Sequence, residues 1–177
     1  MLFRSHGGTV TADSAGEGLG STFRVQLPMI GFAAQRAVQA AQDEALSLQG
    51  LHVLLVDDDA DGREVLRRVL EDHGARVSAA GSAQAALAML ASEPVDVLVS
   101  DIGMPEMDGY ELMRCVRQLP APGNAAVPSI ALTAFACGED RMRALDAGFH
   151  VHLAKPVEPV VAVRAVAEVW RRGTAPA

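Results

Sequence analysis

Leu51-His52-Val53-Leu54-Leu55-Val56 runs almost unbroken in apolar side chains and stops in three carboxylates, Asp57-Asp58-Asp59. A run of that length ending in charge reads as a strand buried on both faces, which occurs in parallel sheets covered by helices. The pattern repeats at Val95–Ser100, which runs into Asp101, and at Ser129–Thr133, with weaker runs at Ala75–Ala79 and Phe149–Leu153. Helical stretches alternate with these strands. Val65, Leu66, Val69 and Leu70 share one helical face, as do Leu112, Met113 and Val116, and later Val163, Val166 and Val169-Trp170. Gly74 and Gly148 fall where helices should end. Five βα units in succession predict an α/β fold: a doubly wound, five-stranded parallel sheet with helices on both faces. In such a sheet, function belongs at the carboxyl ends of the strands, where the strand order reverses.

Those carboxyl ends carry a consistent chemistry. The first strand ends in Asp57-Asp58-Asp59, the third in Asp101 and the fourth in Thr133, while the fifth runs into Lys155-Pro156. Clustered carboxylates repel one another unless a cation sits among them, and hard oxygen ligands with room for water suit Mg²⁺. A lysine completes a site for a phosphoryl group. The cations would neutralise charge on the transferring oxygens, the threonine hydroxyl would hydrogen-bond one of them, and a carboxylate could act as nucleophile.

Around this core, the 177 residues carry 22 acids against 15 bases, a net charge of −7, and 50% apolar residues. That content supports one good core, and the acidic balance argues against a protein held to nucleic acid by a general basic surface. Residues 1–50 hold 3 bases and 4 acids, and residues 51–177 hold 12 bases and 18 acids. Fourteen of the bases are arginine, and Lys155 is the one lysine. Its compact ammonium on a flexible stem suits a crowded carboxylate site better than a guanidinium fork would. Cys115 and Cys137 lack metal-ligand spacing and read as reduced core residues in a cytosolic setting. No apolar run approaches a membrane span, and Met1–Gly8 lacks the apolar middle of a signal peptide. A soluble, cytoplasmic segment is the expectation.

These residues resemble the receiver domain of two-component response regulators. The resemblance covers about Leu51 to Arg172 and rests on Val56-Asp57-Asp58-Asp59, on Ser100-Asp101-Ile102-Gly103-Met104-Pro105-Glu106-Met107-Asp108-Gly109, on Leu132-Thr133-Ala134 and on Ala154-Lys155-Pro156. It implies a flavodoxin-like fold in which Asp101 is the phosphoacceptor and Asp57 and Asp58 are the acidic pair that holds Mg²⁺. The backbone carbonyl of Gly103 is then a further ligand. Thr133 becomes the switch hydroxyl and Lys155 the phosphoryl-binding lysine. Three positions before that lysine, where the family usually carries an aromatic switch residue, this chain has His152, an imidazole that can also rotate inward. The implied partners are a histidine kinase or a histidine phosphotransfer protein as donor or acceptor, and a second copy of the chain in a homodimer.

Upstream, Thr9-Val10-Thr11-Ala12 and Thr22–Leu27 read as short strands around the glycine-rich turn Ser14–Ser21. Phe32–Leu48 holds no Gly or Pro and reads as a helix that serves as a linker. His6–Ser14, Gly16–Phe23 and Leu27-Pro28 resemble the last hairpin of a histidine-kinase ATP-binding domain. The expected division is therefore 1–30 as that remnant, 31–50 as helical linker, 51–172 as receiver and 173–177 as tail. The asparagine helix, lid glycines and phosphorylatable histidine of that kinase family have no counterpart here, so no independent kinase activity is expected. Self-phosphorylation from a phosphodonor and autodephosphorylation remain. The arrangement suggests the C-terminal part of a hybrid histidine kinase. With no output domain after Arg172, a phosphorelay role is expected over direct transcription control.

Other readings use the same residues. Asp57-x-Asp59-x-Asp61-Gly62 begins like a calcium loop, but Arg68 stands where the bidentate glutamate belongs and the loop follows a strand. Asp59 and Asp61 read as a helix start. Haloacid-dehalogenase-type phosphatases also combine an aspartyl-phosphate, Mg²⁺, a hydroxyl and a lysine, but place a further acidic motif after the lysine. None follows Lys155. A docking-only pseudo-receiver would have lost an acid, threonine or lysine position, and all are present. His6, His52, His73 and His150 share no spacing and read as surface or strand-edge residues. Met104 and Met107 read as packing residues of the loop after Asp101.

Overall fold

A computed structural model describes residues 9–14, 16, 20–26, 46–120, 124–134 and 138–174. The chain divides into two compact units, Met1–Gln42 and Asp43–Ala177. In the first, β1 (Thr9–Ser14) pairs antiparallel with β2 (Ser21–Gln26), Thr9 opposite Gln26 and Ser14 opposite Ser21. The turn is tied by Ser14 Oγ donating to the Gly20 carbonyl at 2.9 Å. Phe23 on β2 is 72% exposed.

The second unit is an α/β sandwich. Its elements are β3 (His52–Val56), α1 (Ala60–Asp72), β4 (Arg76–Ala80), α2 (Ala83–Ser92), β5 (Val97–Asp101), α3 (Gly109–Arg117), β6 (Ser129–Thr133), α4 (Gly138–Ala147), β7 (Val151–Ala154) and α5 (Pro159–Thr174). The five strands are parallel in the order β4-β3-β5-β6-β7. The chain moves from β3 to β4 on one side, then crosses to β5 on the other. The order therefore reverses between β3 and β5, which places the site at their carboxyl ends.

Alternate residues of each central strand supply the two cores. Leu54, Val56, Leu98 and Ala131 face the layer built with α2, α3 and α4, while Val53, Leu55, Val97, Val99, Ile130 and Leu132 face α1 and α5. This double burial is the physical reason the three central strands read as continuous apolar runs. β4 and β7 are the sheet edges and are only half covered, so their runs are weaker and lie one or two residues from the predicted bounds. Gly74 follows α1 with φ +92, a conformation that favours glycine, and Gly148 likewise follows α4.

Several expectations need correction. Most of the predicted 32–48 linker helix lies outside the described residues, and its last part, Leu46–Leu48, forms a turn followed by irregular chain instead. Leu48 leaves helical geometry because its N–H bonds the His73 carbonyl at 2.8 Å and its side chain is fully buried in the α1/α5 core. Cys115 is half-buried at the margin of α3, since the inward face of that helix is taken by Leu112, Met113 and Val116. Cys137 lies outside the described residues. His52 is no surface residue. It is 8% exposed, its Nδ1 lies 2.8 Å from the Pro94 carbonyl, and its Nε2 lies 2.8 Å from Ser78 Oγ. His73 caps α1 with Nδ1 2.8 Å from the Val69 carbonyl, and His150, exposed as a whole, turns Nδ1 inward to accept from the Ser129 N–H at 3.2 Å, while His6 lies outside the described residues. Among the described residues no helix is long and apolar enough to cross a membrane.

Candidate functional site

Each site residue is set by the end of a strand or the start of a helix. β3 delivers Asp57, 3% exposed, and the chain then turns outward so that Asp58 is exposed. Asp59 does not join the cluster. Its carboxylate caps α1 by accepting from the N–H groups of Asp61 and Gly62, each at 3.2 Å, as expected for a helix start. β5 delivers Asp101, 7% exposed, and β6 delivers Thr133, 4% exposed. Carboxylate oxygens of Asp57, Asp58 and Asp101 all lie within 4.8 Å of one another. A divalent cation with hard oxygen preference could be held there, with the exposed Asp58 side open to water.

Lys155 arrives from the end of β7 and bridges the two buried acids. Its Nζ lies 2.8 Å from Asp57 Oδ2 and 2.9 Å from Asp101 Oδ2. Burial alone would pull the Lys155 ammonium down, but its hydrogen bonds to Asp57 and Asp101 and the charges of both outweigh burial and hold its pKa above the ordinary lysine value. The Lys155 N–H also donates to the Thr133 carbonyl at 2.7 Å, which locks the end of β7 to the end of β6. The other Asp57 oxygen, Oδ1, accepts from the Asp59 N–H at 3.0 Å.

The loop after Asp101 is equally fixed. Gly103 is exposed, and a Cβ there would lie 3.9 Å from Asp101 Oδ2, so this backbone passes beside the carboxylate. Met104 is buried in the core and Met107 packs against it, as a packing role predicts. Asp108 caps α3 by accepting from the Glu111 N–H at 2.7 Å. Gly109 allows the closest approach in the loop: a Cβ there would fall 2.3 Å from the Asp101 carbonyl oxygen. His152, on β7, places Nε2 3.2 Å from Thr133 Oγ1. All seven residues singled out from the sequence thus belong to one end of the sheet.

Two features escaped sequence reading. Arg63 in the first turn of α1 donates from Nη1 to the Asp57 carbonyl and passes within 3.5 Å of where a Gly81 Cβ would be. Its position four residues after the Asp59 cap is the signal that could have marked it. The second is an open groove of about 620 Å³ beside the acids, walled by Val65, Leu66 and Val69 of α1 and by Pro156, Val157 and Pro159. Val65 is 62% exposed, and Asp57 and Lys155 line the groove as well.

Comparison with known proteins agrees with this geometry. The family model for the response regulator receiver domain matches residues 53–167. An uncharacterized 14.6 kDa protein from the sodA1 3' region of Leptolyngbya boryana is 49% identical over 120 residues, covering 68% of this chain and 90% of that protein. Probable histidine kinase 2 of Oryza sativa subsp. indica is 36% identical over 138 residues, covering 70% of this chain but only 13% of the kinase. The solved receiver domain of a signal transduction histidine kinase from Syntrophus aciditrophicus superposes with a TM-score of 0.65 at 28% identity, over 72% of this chain and 96% of that one.

Proposed function

The chain belongs to the response regulator receiver family, a phosphorelay signalling module that works with a phosphodonor, and on that premise we propose that Asp101 is its phosphoacceptor. A carboxylate oxygen of Asp101 attacks the phosphorus of a phosphohistidine. The P–O bond forms as the P–N bond breaks, and the departing imidazole keeps the electron pair and is neutralised by a proton. The observation that carries this reading is the Lys155 ammonium bridging Asp57 and Asp101. As the acyl phosphate forms, this ammonium is placed to follow the charge onto the phosphoryl oxygens. Thr133 supplies a hydroxyl at the adjoining strand end. Asp57, Asp58, Asp101 and the Gly103 carbonyl are the proposed Mg²⁺ ligands, and the three converging carboxylates fit that role. Mg²⁺ when bound supplies charge neutralisation of the transferring oxygens.

The donor is a histidine kinase or a histidine phosphotransfer protein. The apolar groove beside Asp57 and Lys155 supports a protein partner, because it offers a footing for an apolar helix face within reach of the acid. The context is a hybrid sensor histidine kinase in the cytoplasm, with the hairpin β1–β2 as the end of its ATP-binding domain. The match to a small fraction of a much longer kinase supports that setting. Titration with beryllofluoride or acetyl phosphate in Mg²⁺, compared with Asp101→Asn, tests the phosphoacceptor. A saturable response is expected in the parent chain only, and a response that survives in Asp101→Asn refutes it.

A further inference from the structure

Asp58 is the exposed member of the acidic cluster, and among the described residues none donates a hydrogen bond to its carboxylate. Its direction is therefore set by the backbone that carries it. The Asp58 Cα stands between two planar peptide groups. The first holds the Asp57 carbonyl, which accepts from Arg63 Nη1. The second holds the Asp59 N–H, which donates to Asp57 Oδ1 at 3.0 Å. Fixing both planes fixes φ and ψ at Asp58, and with them the direction in which its side chain leaves the chain. Arg63 is itself tied to this turn. Its N–H donates to the Asp59 carbonyl at 3.0 Å, and its guanidinium lies beside the residue after β4, where a Gly81 Cβ would stand 3.5 Å from Nη1 and 3.7 Å from Cζ. A methyl there would just touch the guanidinium, and a longer side chain would compete for its space.

Building on the Mg²⁺-ligand reading above, we propose that Arg63 is a positioning residue for the cation: its grip on the Asp57 carbonyl holds the Asp58 carboxylate in place before the ion arrives. The other grip, Asp57 Oδ1, belongs to an acid that the site also needs. Arg63 touches none of the three carboxylates in the hydrogen bonds described, so it acts only through the peptide. Without it, the cost of ordering the Asp58 backbone falls on the binding of the ion.

Mg²⁺ titration of the full chain by calorimetry tests this, in about 0.5 M KCl to screen the change of charge. Arg63→Met should bind Mg²⁺ about tenfold more weakly, the backbone order of roughly one residue. Arg67→Met removes the same charge one turn further along α1, where its partners are Glu64 and Glu71, and should leave the affinity unchanged. Amide ¹⁵N relaxation without Mg²⁺ gives a second readout: Asp58 should be as rigid as the sheet in the parent chain and in Arg67→Met, and mobile in Arg63→Met. Equal Mg²⁺ affinity in Arg63→Met, or an Asp58 amide equally rigid there, overturns this inference alone. A parent chain whose Mg²⁺ affinity is untouched by Asp58→Asn overturns the ligand reading and this inference with it.

Discussion

Replacing Lys155 by methionine keeps an unbranched stem of similar bulk and deletes only the ammonium that separates two buried acids. Asp57 and Asp101 side chains are 5% and 9% exposed, and each has a carboxylate oxygen within 2.9 Å of Nζ. An exposed ion pair would lose at most about 1 kcal/mol. A buried pair broken on one side loses about 3–5 kcal/mol, because the remaining charge is left uncompensated. Here two like charges are left facing each other, while the Lys155 side chain, at 29% exposure, gives water some access. The lower end of the buried range, about 3 kcal/mol, is therefore expected. Urea unfolding followed by circular dichroism at neutral pH with EDTA measures it. Since the deficit is uncompensated negative charge, millimolar Mg²⁺ should return most of the lost stability to the variant. Alkaline pH gives a second check. The folded Lys155 pKa is raised, so its stabilisation is fully present below the unfolded value of about 10.4 and is lost as pH rises through the folded value. Lys155→Met should lack that alkaline decline. A stability loss below about 1 kcal/mol, the surface-pair range, would refute the reasoning, as would a loss that Mg²⁺ leaves unchanged.

Gly109→Ala should cost about 3 kcal/mol or more, because the new methyl meets the Asp101 carbonyl at 2.3 Å and the Ile102 Cα at 2.9 Å, and backbone cannot swing aside. Thermal unfolding would show it, and a wild-type melting temperature would count against so rigid a loop. His150 is held below the ordinary histidine value by burial and then by the Arg117 charge. Its contribution is thus present above about pH 6.5, the unfolded value, and fades as pH falls toward the lowered folded value. Urea midpoints between pH 5 and 7.5 should decline with acid in the parent and flatten in His150→Asn; parallel curves would remove His150 from the account. Lys155→Arg keeps the charge but not the shape, so Asp101 should still respond to acetyl phosphate while the surface at β6 and β7 stays in its free state by NMR. Full coupling in that variant would mean the lone lysine has no special fit.

The proposed phosphoacceptor, the other acids, the hydroxyl and the lysine were placed together from the sequence because each stands at the end of an apolar run. A run fixes a strand, and parallel strands all end on the same side of the sheet. Lys155 is 98 residues from Asp57 in the chain, yet their shared position after a strand was enough to predict their meeting. Asp59 was legible for a local reason, since capping involves only the next few backbone N–H groups.

The failures have the opposite character. Leu46–Leu48 carries helix-favouring residues, but the His73 carbonyl and the α1/α5 core hold Leu48 in another geometry, and neither is near in sequence. His52 has no local mark of burial; the Pro94 carbonyl and Ser78 hydroxyl that satisfy its ring come from other segments. Arg63 looks like any exposed helix cation until β3 places the Asp57 carbonyl beneath it. By itself, then, the sequence determined the parallel α/β sheet and which side chains meet at its carboxyl end, because apolar period and strand polarity are local and additive along the chain. Only the tertiary structure decided that Lys155 bridges two buried acids at 2.8 and 2.9 Å, that an apolar groove adjoins them, and that His152 Nε2 lies 3.2 Å from Thr133 Oγ1. Those are relations between side chains on different strands, set by packing distances of about 3–5 Å that no spacing along the chain encodes.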